Sequence, residues 1–290
     1  MSSNVAILDG AEIKHVELSL APSPSILTQL LFQLAQQVSP ALSGQTGKGG
    51  PELLRVEQNN HLALQQLYQQ LQQIYPSAGL PYWRVRGWGV LSWQPIYLSF
   101  LSVYGLQAVP SSLGQIAQQY DQGMVSGFFL PESDWLTGSR ETLILEACRQ
   151  LKPLFQQLQQ QFVLVSGIKP GLCRLSLADR LLLTLARLSA MAPSLAKLYD
   201  GEGQKGESKQ SLPDKAELVQ DARLWLKGLS LPEEHQQHLL LRPMVDENEA
   251  ELYMKRRTCC MHYRREDGSL CENCPRDKKN KRIAVSCLDD

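Results

Sequence analysis

The sequence predicts an α+β fold that is mainly helical: a helical body with a small antiparallel sheet or hairpin, and a small C-terminal module built on cysteines. Three observations carry this. Apolar residues recur at helical spacing through several long stretches. One short region reads as two strands around Asp121-Gln122-Gly123, a hairpin signal. Four of the seven cysteines fall within the 16 residues from Cys259 to Cys274. With 290 residues, 43% hydrophobic, the chain can bury a sizeable core, and disorder throughout is excluded. The expected division is a body over 1–245 and a cysteine module over 246–290.

Residues 1–25 alternate weakly in polarity and end in Pro22-Ser23-Pro24, which predicts an edge strand or an extended arm. Leu27, Leu30, Leu31 and Leu34 predict a helix over 26–38, and 43–51 reads as a flexible loop. A long helix is expected over 52–75, with Leu62, Leu67, Leu71 and Ile74 on one face and glutamines on the other. A second apolar helix is expected over 91–106, then strands over 116–120 and 124–130. Helices follow over 137–162, capped near Thr137 or Ser139, and over 176–199, with Ser176 as cap and Asp179 at the capping-box position. The polar, Gly-rich segment 200–213 reads as a linker. A short amphipathic helix is expected over 214–229, and one more over 247–257.

Several local motifs carry no function. Gly201-Glu202-Gly203-Gln204-Lys205-Gly206 matches a dinucleotide fingerprint literally, but a helix precedes it and a charged loop follows. Gly47-Lys48-Gly49 lacks the first glycine and the hydroxyl residue of a phosphate loop. His235 and His238 sit three apart with no obvious third ligand. Ser194-Leu195-Ala196-Lys197 lacks its companion motifs. The glutamine runs read as polar helix surface, and Trp83, Trp88 and Trp93 as core. No charged n-region precedes an apolar core at the N-terminus, and 88–106 reads as a buried helix, so a soluble, cytoplasmic protein is expected.

In a reducing compartment, four close thiols indicate a metal or iron–sulfur site rather than disulfides. Cys271-Glu272-Asn273-Cys274 presents two sulfurs from one turn, and Asp267-Gly268 can fold the intervening MHYRREDGSL segment back. The adjacent pair Cys259-Cys260 fits zinc poorly, because zinc pairs are usually two to four residues apart. Neighbouring side chains of a strand face opposite ways, so both can serve one centre only if the chain bends there. Charge is also concentrated here: residues 254–282 hold ten Lys/Arg against four Asp/Glu, although the whole chain is neutral.

The spacing Cys-Cys-x10-Cys-x2-Cys, met by Cys259, Cys260, Cys271 and Cys274, resembles that of the FhuF-like ferric-siderophore reductases, over about the last 40 residues. The resemblance implies that these four cysteines hold a [2Fe–2S] cluster, making the C-terminus an iron–sulfur module. It implies one-electron reduction of siderophore-bound Fe(III), typically in a hydroxamate-type complex. Iron is then released in the cytoplasm, because Fe(II) binds hard oxygen donors more weakly. The partners it implies are that siderophore and a donor protein such as a ferredoxin or a flavin reductase, with no nucleic acid and with room for peripheral association at the inner membrane. Arg256, Arg257, Arg264, Arg265 and Arg276 are expected to tune the cluster or to dock substrate or donor. Arg256 and Arg257 are expected mainly to tune, and Arg264 and Arg265 to face solvent and dock. The competing reading is a zinc knuckle, binding or purely structural, with a basic C-terminus.

Overall fold

The computed structural model describes residues 3–9, 12–18, 23–199, 213–243 and 250–281. In chain order the elements are β1 (Ser3–Asp9), β2 (Glu12–Leu18), α1 (Pro24–Val38), β3 (Gly44–Thr46), α2 (His61–Ile74) and α3 (Gly79–Phe100). Then come β4 (Ala108–Pro110), β5 (Ala117–Asp121), β6 (Met124–Leu130), β7 (Trp135–Thr137), α4 (Arg140–Ser166) and α5 (Pro170–Tyr199). The chain continues with α6 (Lys215–Gly228), β8 (Leu239–Pro243), β9 (Ala250–Met254) and the single turn α7 (Lys278–Lys281). The expected α+β, mainly helical class holds, with sheets of only two or three strands.

Helix α3 is the axis of the body. Gly87, Trp88, Gly89, Val90, Leu91 and Ser92 are all buried in succession, so it has no wet face along this stretch. It packs against α2, α4 and α5. Pro95 inside it has no N–H for the Leu91 carbonyl. The buried Gln118 side chain on β5 takes that carbonyl instead, at 3.2 Å. The helix runs into a π-helical turn over Leu101–Leu106 that ends on left-handed Gln107. There Tyr104 donates to Asp221 of α6 and accepts from Trp225, and Arg140 of α4 reaches Asp221 at 3.0 Å. This satisfied polar cluster pins α4 and α6 to the axis. Among the described residues, no helix is long and apolar enough to cross a membrane.

The predicted hairpin forms as β5–β6, and β3 adds in parallel to β6. Gln122 and Gly123 both take positive φ, as a two-residue turn matched to strand twist requires. The N-terminal stretch forms an antiparallel hairpin, β1–β2, rather than a lone edge strand.

Four other expectations are corrected. Helix α2 starts at His61, not at 52, because buried Asn60 organises 55–60 as a loop: it accepts from the Arg55 N–H and donates to the Arg55 carbonyl. Its buried face is Ala63, Leu64, Leu67, Tyr68 and Leu71, while Leu62 is 73% exposed. Helix α3 begins twelve residues earlier than its apolar run suggested, because Pro81 is tolerated in a first turn. Helix α5 begins at Pro170, so Asp179 is a mid-helix residue and caps nothing. Residues 250–254 form a strand, β9, that completes its hydrogen bonding with β8. The β8–β9 hairpin straddles the expected module boundary at 245/246, which itself lies outside the described residues, as does the 200–212 part of the expected linker.

Some glutamines are structural. Gln157 and Gln161 of α4 accept the N–H groups of Glu57 and Asn60, and Gln70 of α2 accepts that of Gly123.

Candidate metal centre

The β8–β9 hairpin lies on α5 and delivers the chain to residues 255–281. Directly after β9, the Asp179 carboxylate takes three donors: the Arg257 N–H at 3.1 Å, the Thr258 N–H at 2.6 Å and the Thr258 hydroxyl at 2.5 Å. Asp179 is 1% exposed, and the fully buried His235 sits beside it with Nε2 at 3.5 Å. Burial by itself would raise the Asp179 pKa. The interactions with His235, Thr258 and Arg257 outweigh it and hold the carboxyl below its usual range. The strand's exit is therefore tied to the body one residue before the first cysteine.

The adjacent cysteines are reconciled by a bend. Met261 takes a left-handed conformation, φ 58°, and its N–H turns back on the Cys259 sulfur at 3.4 Å. The His262 N–H donates to Cys260. A 3-10 turn over His262–Arg264 follows, and the loop closes with Gly268 donating to the Arg265 carbonyl at 3.1 Å. A Cβ at Gly268 would stand 2.1 Å from the His262 carbonyl oxygen, so only glycine fits. On the far side, the Cys274 N–H bonds the Cys271 carbonyl, and Asn280 donates to the carbonyls of Glu272 and Cys274.

The four thiols act on one another within and across the two cysteine turns. Cys260 and Cys271 have their sulfurs 3.8 Å apart, and Cys259 interacts thiol to thiol with Cys274. Among the described residues, no three His, Cys, Asp or Glu side chains gather as ligands of one metal ion. Four thiolates are the ligand number of a [2Fe–2S] cluster and of a tetrahedral zinc alike. Arg256 donates to the Cys271 sulfur at 3.7 Å. Burial raises the Cys260 pKa, but the His262 N–H and the Arg256 charge outweigh it and bring the thiol below its ordinary value. Burial and the neighbouring Cys260 push Cys271 up to about 12. Cys148 and Cys173 are buried in the body and pushed up to about 12 by that burial, as inert core thiols are. Cys287 lies outside the described residues.

The other basic residues are placed differently from one another. The Arg257 side chain is exposed. Arg264 is exposed, as expected, yet it donates to the Ala78 carbonyl at 2.7 Å, and half-buried Arg265 stacks 4.3 Å from the Tyr75 ring centroid. Arg276 lies over the Tyr263 ring at 5.0 Å. Of the body's contributions, sequence reasoning gave Asp179 a capping role, set His235 aside and missed Tyr75. A carboxylate beside the apolar stripe of Ala178, Leu181, Leu182 and Leu185 was the available signal for Asp179.

A basic, thiol-lined loop docked on a helical scaffold is a candidate metal centre. Residues 256–276 match the FhuF 2Fe-2S C-terminal domain, which implies a [2Fe–2S] cluster and bears out the resemblance read from the cysteine spacing. No solved structure matches the chain.

Proposed function

We propose that the protein is a ferric-siderophore reductase, with Cys259, Cys260, Cys271 and Cys274 holding a [2Fe–2S] cluster. The reading is carried by one observation: the segment that matches the iron–sulfur domain contains all four cysteines, with the Cys260 and Cys271 sulfurs 3.8 Å apart. When bound, the cluster supplies one-electron transfer to siderophore-bound Fe(III). The substrate's oxygen ligands stay in place while the electron moves, so no general acid, base or nucleophile is asked of the chain. Fe(II) then leaves hard oxygen donors readily, in the cytoplasm on this reading. The electron comes from a separate donor protein, a ferredoxin or a flavin reductase.

The chain's own residues hold and bias the centre. Asp179 and Asn280 fix the two cysteine turns, and Arg264 and Arg265 fix the loop between them. The Arg256 guanidinium sets positive charge against Cys260 and Cys271, which favours the more negative reduced state. Purified protein should be red-brown, with about two irons and two sulfides per chain. Reduced anaerobically, it should bleach, gain an EPR signal and pass iron from ferric siderophore to a chromogenic Fe(II) trap. A colourless protein with one zinc per chain, or a reduced cluster that yields no Fe(II), would sink the reading.

A further inference from the structure

Four arginines act on one another beside the cysteine loop, and Arg86, Arg180 and Arg187 form no salt bridge among the described residues. Arg180 of α5 is the centre. Its Nε is closed off from solvent with no hydrogen-bond partner, and its guanidinium forms no salt bridge among the described residues. The groups acting on it most strongly are Arg86 on α3, Arg256 in the module, Tyr97, which opposes them, and then Arg187 two turns further along α5. Burial and these like charges bring its pKa down to about 10, far below an ordinary arginine. Arg86 and Arg256 also each carry a buried Nε without a partner. Arg86 spends one amino group on the Met124 sulfur at 2.7 Å, and Arg187 reaches the Tyr97 hydroxyl at 3.3 Å. Asp179 faces Arg256, but its oxygens are already taken by Thr258 and Arg257. Arg256 is answered by the Cys260 and Cys271 thiolates, but Arg86, Arg180 and Arg187 have no acidic partner among the described residues, and charges brought together this way favour an added anion. The chain also makes room for the cluster: a Cβ at Gly89 would stand 2.7 Å from the Arg180 Nη2.

We infer that Arg86, Arg180, Arg187 and Arg256 form an anion-binding surface at the Cys260/Cys271 side of the metal centre. The substrate it fits is an Fe(III) chelate with net negative charge, presented through carboxylate or catecholate oxygens, rather than a neutral trihydroxamate. The inference rests on the reductase reading and names its substrate class. Arg256 touches both the site and the Cys271 sulfur, so a chelate seated there lies next to the electron's point of exit. A small anion is favoured over an acidic protein partner because the unpartnered Nε atoms of Arg86, Arg180 and Arg256 are recessed, and only Arg187 is fully exposed.

Gallium(III) chelates test this without redox chemistry. The full chain with its cluster is titrated with a gallium tris-catecholate, a gallium citrate complex and a neutral gallium trihydroxamate. At least one anionic complex should bind about tenfold or more tighter than the neutral one, with affinity falling as salt rises. The two anionic arms tell catecholate from carboxylate. Arg180→Gln should weaken that binding about tenfold to a hundredfold and leave the cluster's visible spectrum unchanged. If Arg180→Gln misfolds, Gly89→Ala and Arg187→Gln serve. The first pushes aside the end of the Arg180 side chain and the second changes an exposed residue, and each should weaken the same binding several-fold. Neutral and anionic gallium complexes binding alike, or variants that bind as the parent does, would overturn the inference. So would variants that lose affinity for an acidic ferredoxin alone. Loss of the reductase reading shows separately, as absent cluster or absent Fe(II) release with gallium binding intact.

Discussion

Replacing Asp179 with alanine should loosen the metal centre from a position outside the cysteine loop. The substitution removes the acceptor of three hydrogen bonds. The Arg257 side is exposed and its N–H can turn to water, but Thr258 is 6% exposed, and its N–H and hydroxyl would be stranded. Stranding a buried donor costs about 1–3 kcal/mol, so the loss is roughly 3 kcal/mol in all. At about 1.4 kcal/mol per decade, local opening of the Thr258–Cys260 turn becomes on the order of 100-fold more frequent. If a chelator takes iron through that opening, bleaching of the visible spectrum under excess chelator should accelerate by about the same factor. Asparagine keeps one acceptor oxygen and should fall between. The pH dependence has a definite sign. The folded carboxyl is depressed below its ordinary 3.8, so its stabilisation is present in full above about pH 4 and is lost as pH falls through the lower folded value. The carboxyl's own contribution to the difference between parent and variant should thus be constant above about pH 5 and shrink only in acid. Bleaching of the alanine variant at the parental rate at pH 7 would refute the reasoning.

Serine at Cys259, Cys260, Cys271 or Cys274 should abolish or change the visible and EPR spectra, while Cys148→Ser and Cys173→Ser keep them. Normal cluster content in Cys260→Ser would refute the ligand set. Arg256→Gln should lower the cluster's reduction potential by on the order of 40 mV, the one-electron equivalent of about 1 kcal/mol, in a titration followed by visible absorption. An unchanged or raised potential would count against it. Gly268→Ala forces a Cβ against backbone rather than a flexible side chain, at a cost of about 1–3 kcal/mol. Iron content should drop while far-ultraviolet circular dichroism, dominated by the body's helices, stays close to the parent's.

The helical body was legible because its long elements obey a 3.6-residue period, and the β5–β6 hairpin because Asp121-Gln122-Gly123 is local turn chemistry. Starts and stops were less so. Asn60 ends the loop before α2 through contacts only the folded chain reveals, and α3 and α5 begin before their apolar runs do, with Pro81 and Pro170 in their first turns. Residues 250–254 are apolar at a spacing that suits helix or strand, and pairing with β8 decides. At the metal centre the four cysteines were legible from spacing alone. What turns Cys259 and Cys260 to one side was not, because it depends on left-handed Met261, a residue type with no preference for that conformation. Arg264 and Arg265 looked like free surface charge, because Ala78 and Tyr75 are nearly 190 residues away in sequence.

That separation bears on the order of assembly during synthesis. The hydrogen bond from Arg264 to Ala78 spans 186 residues, and those from Thr258 to Asp179 span 79. Contacts this non-local are slow to close, and domains emerging from the ribosome consolidate from the N-terminal side first. The platform formed by α3 and α5 is therefore built before the cysteines leave the exit tunnel. The cysteine loop then docks on that surface rather than helping to build it.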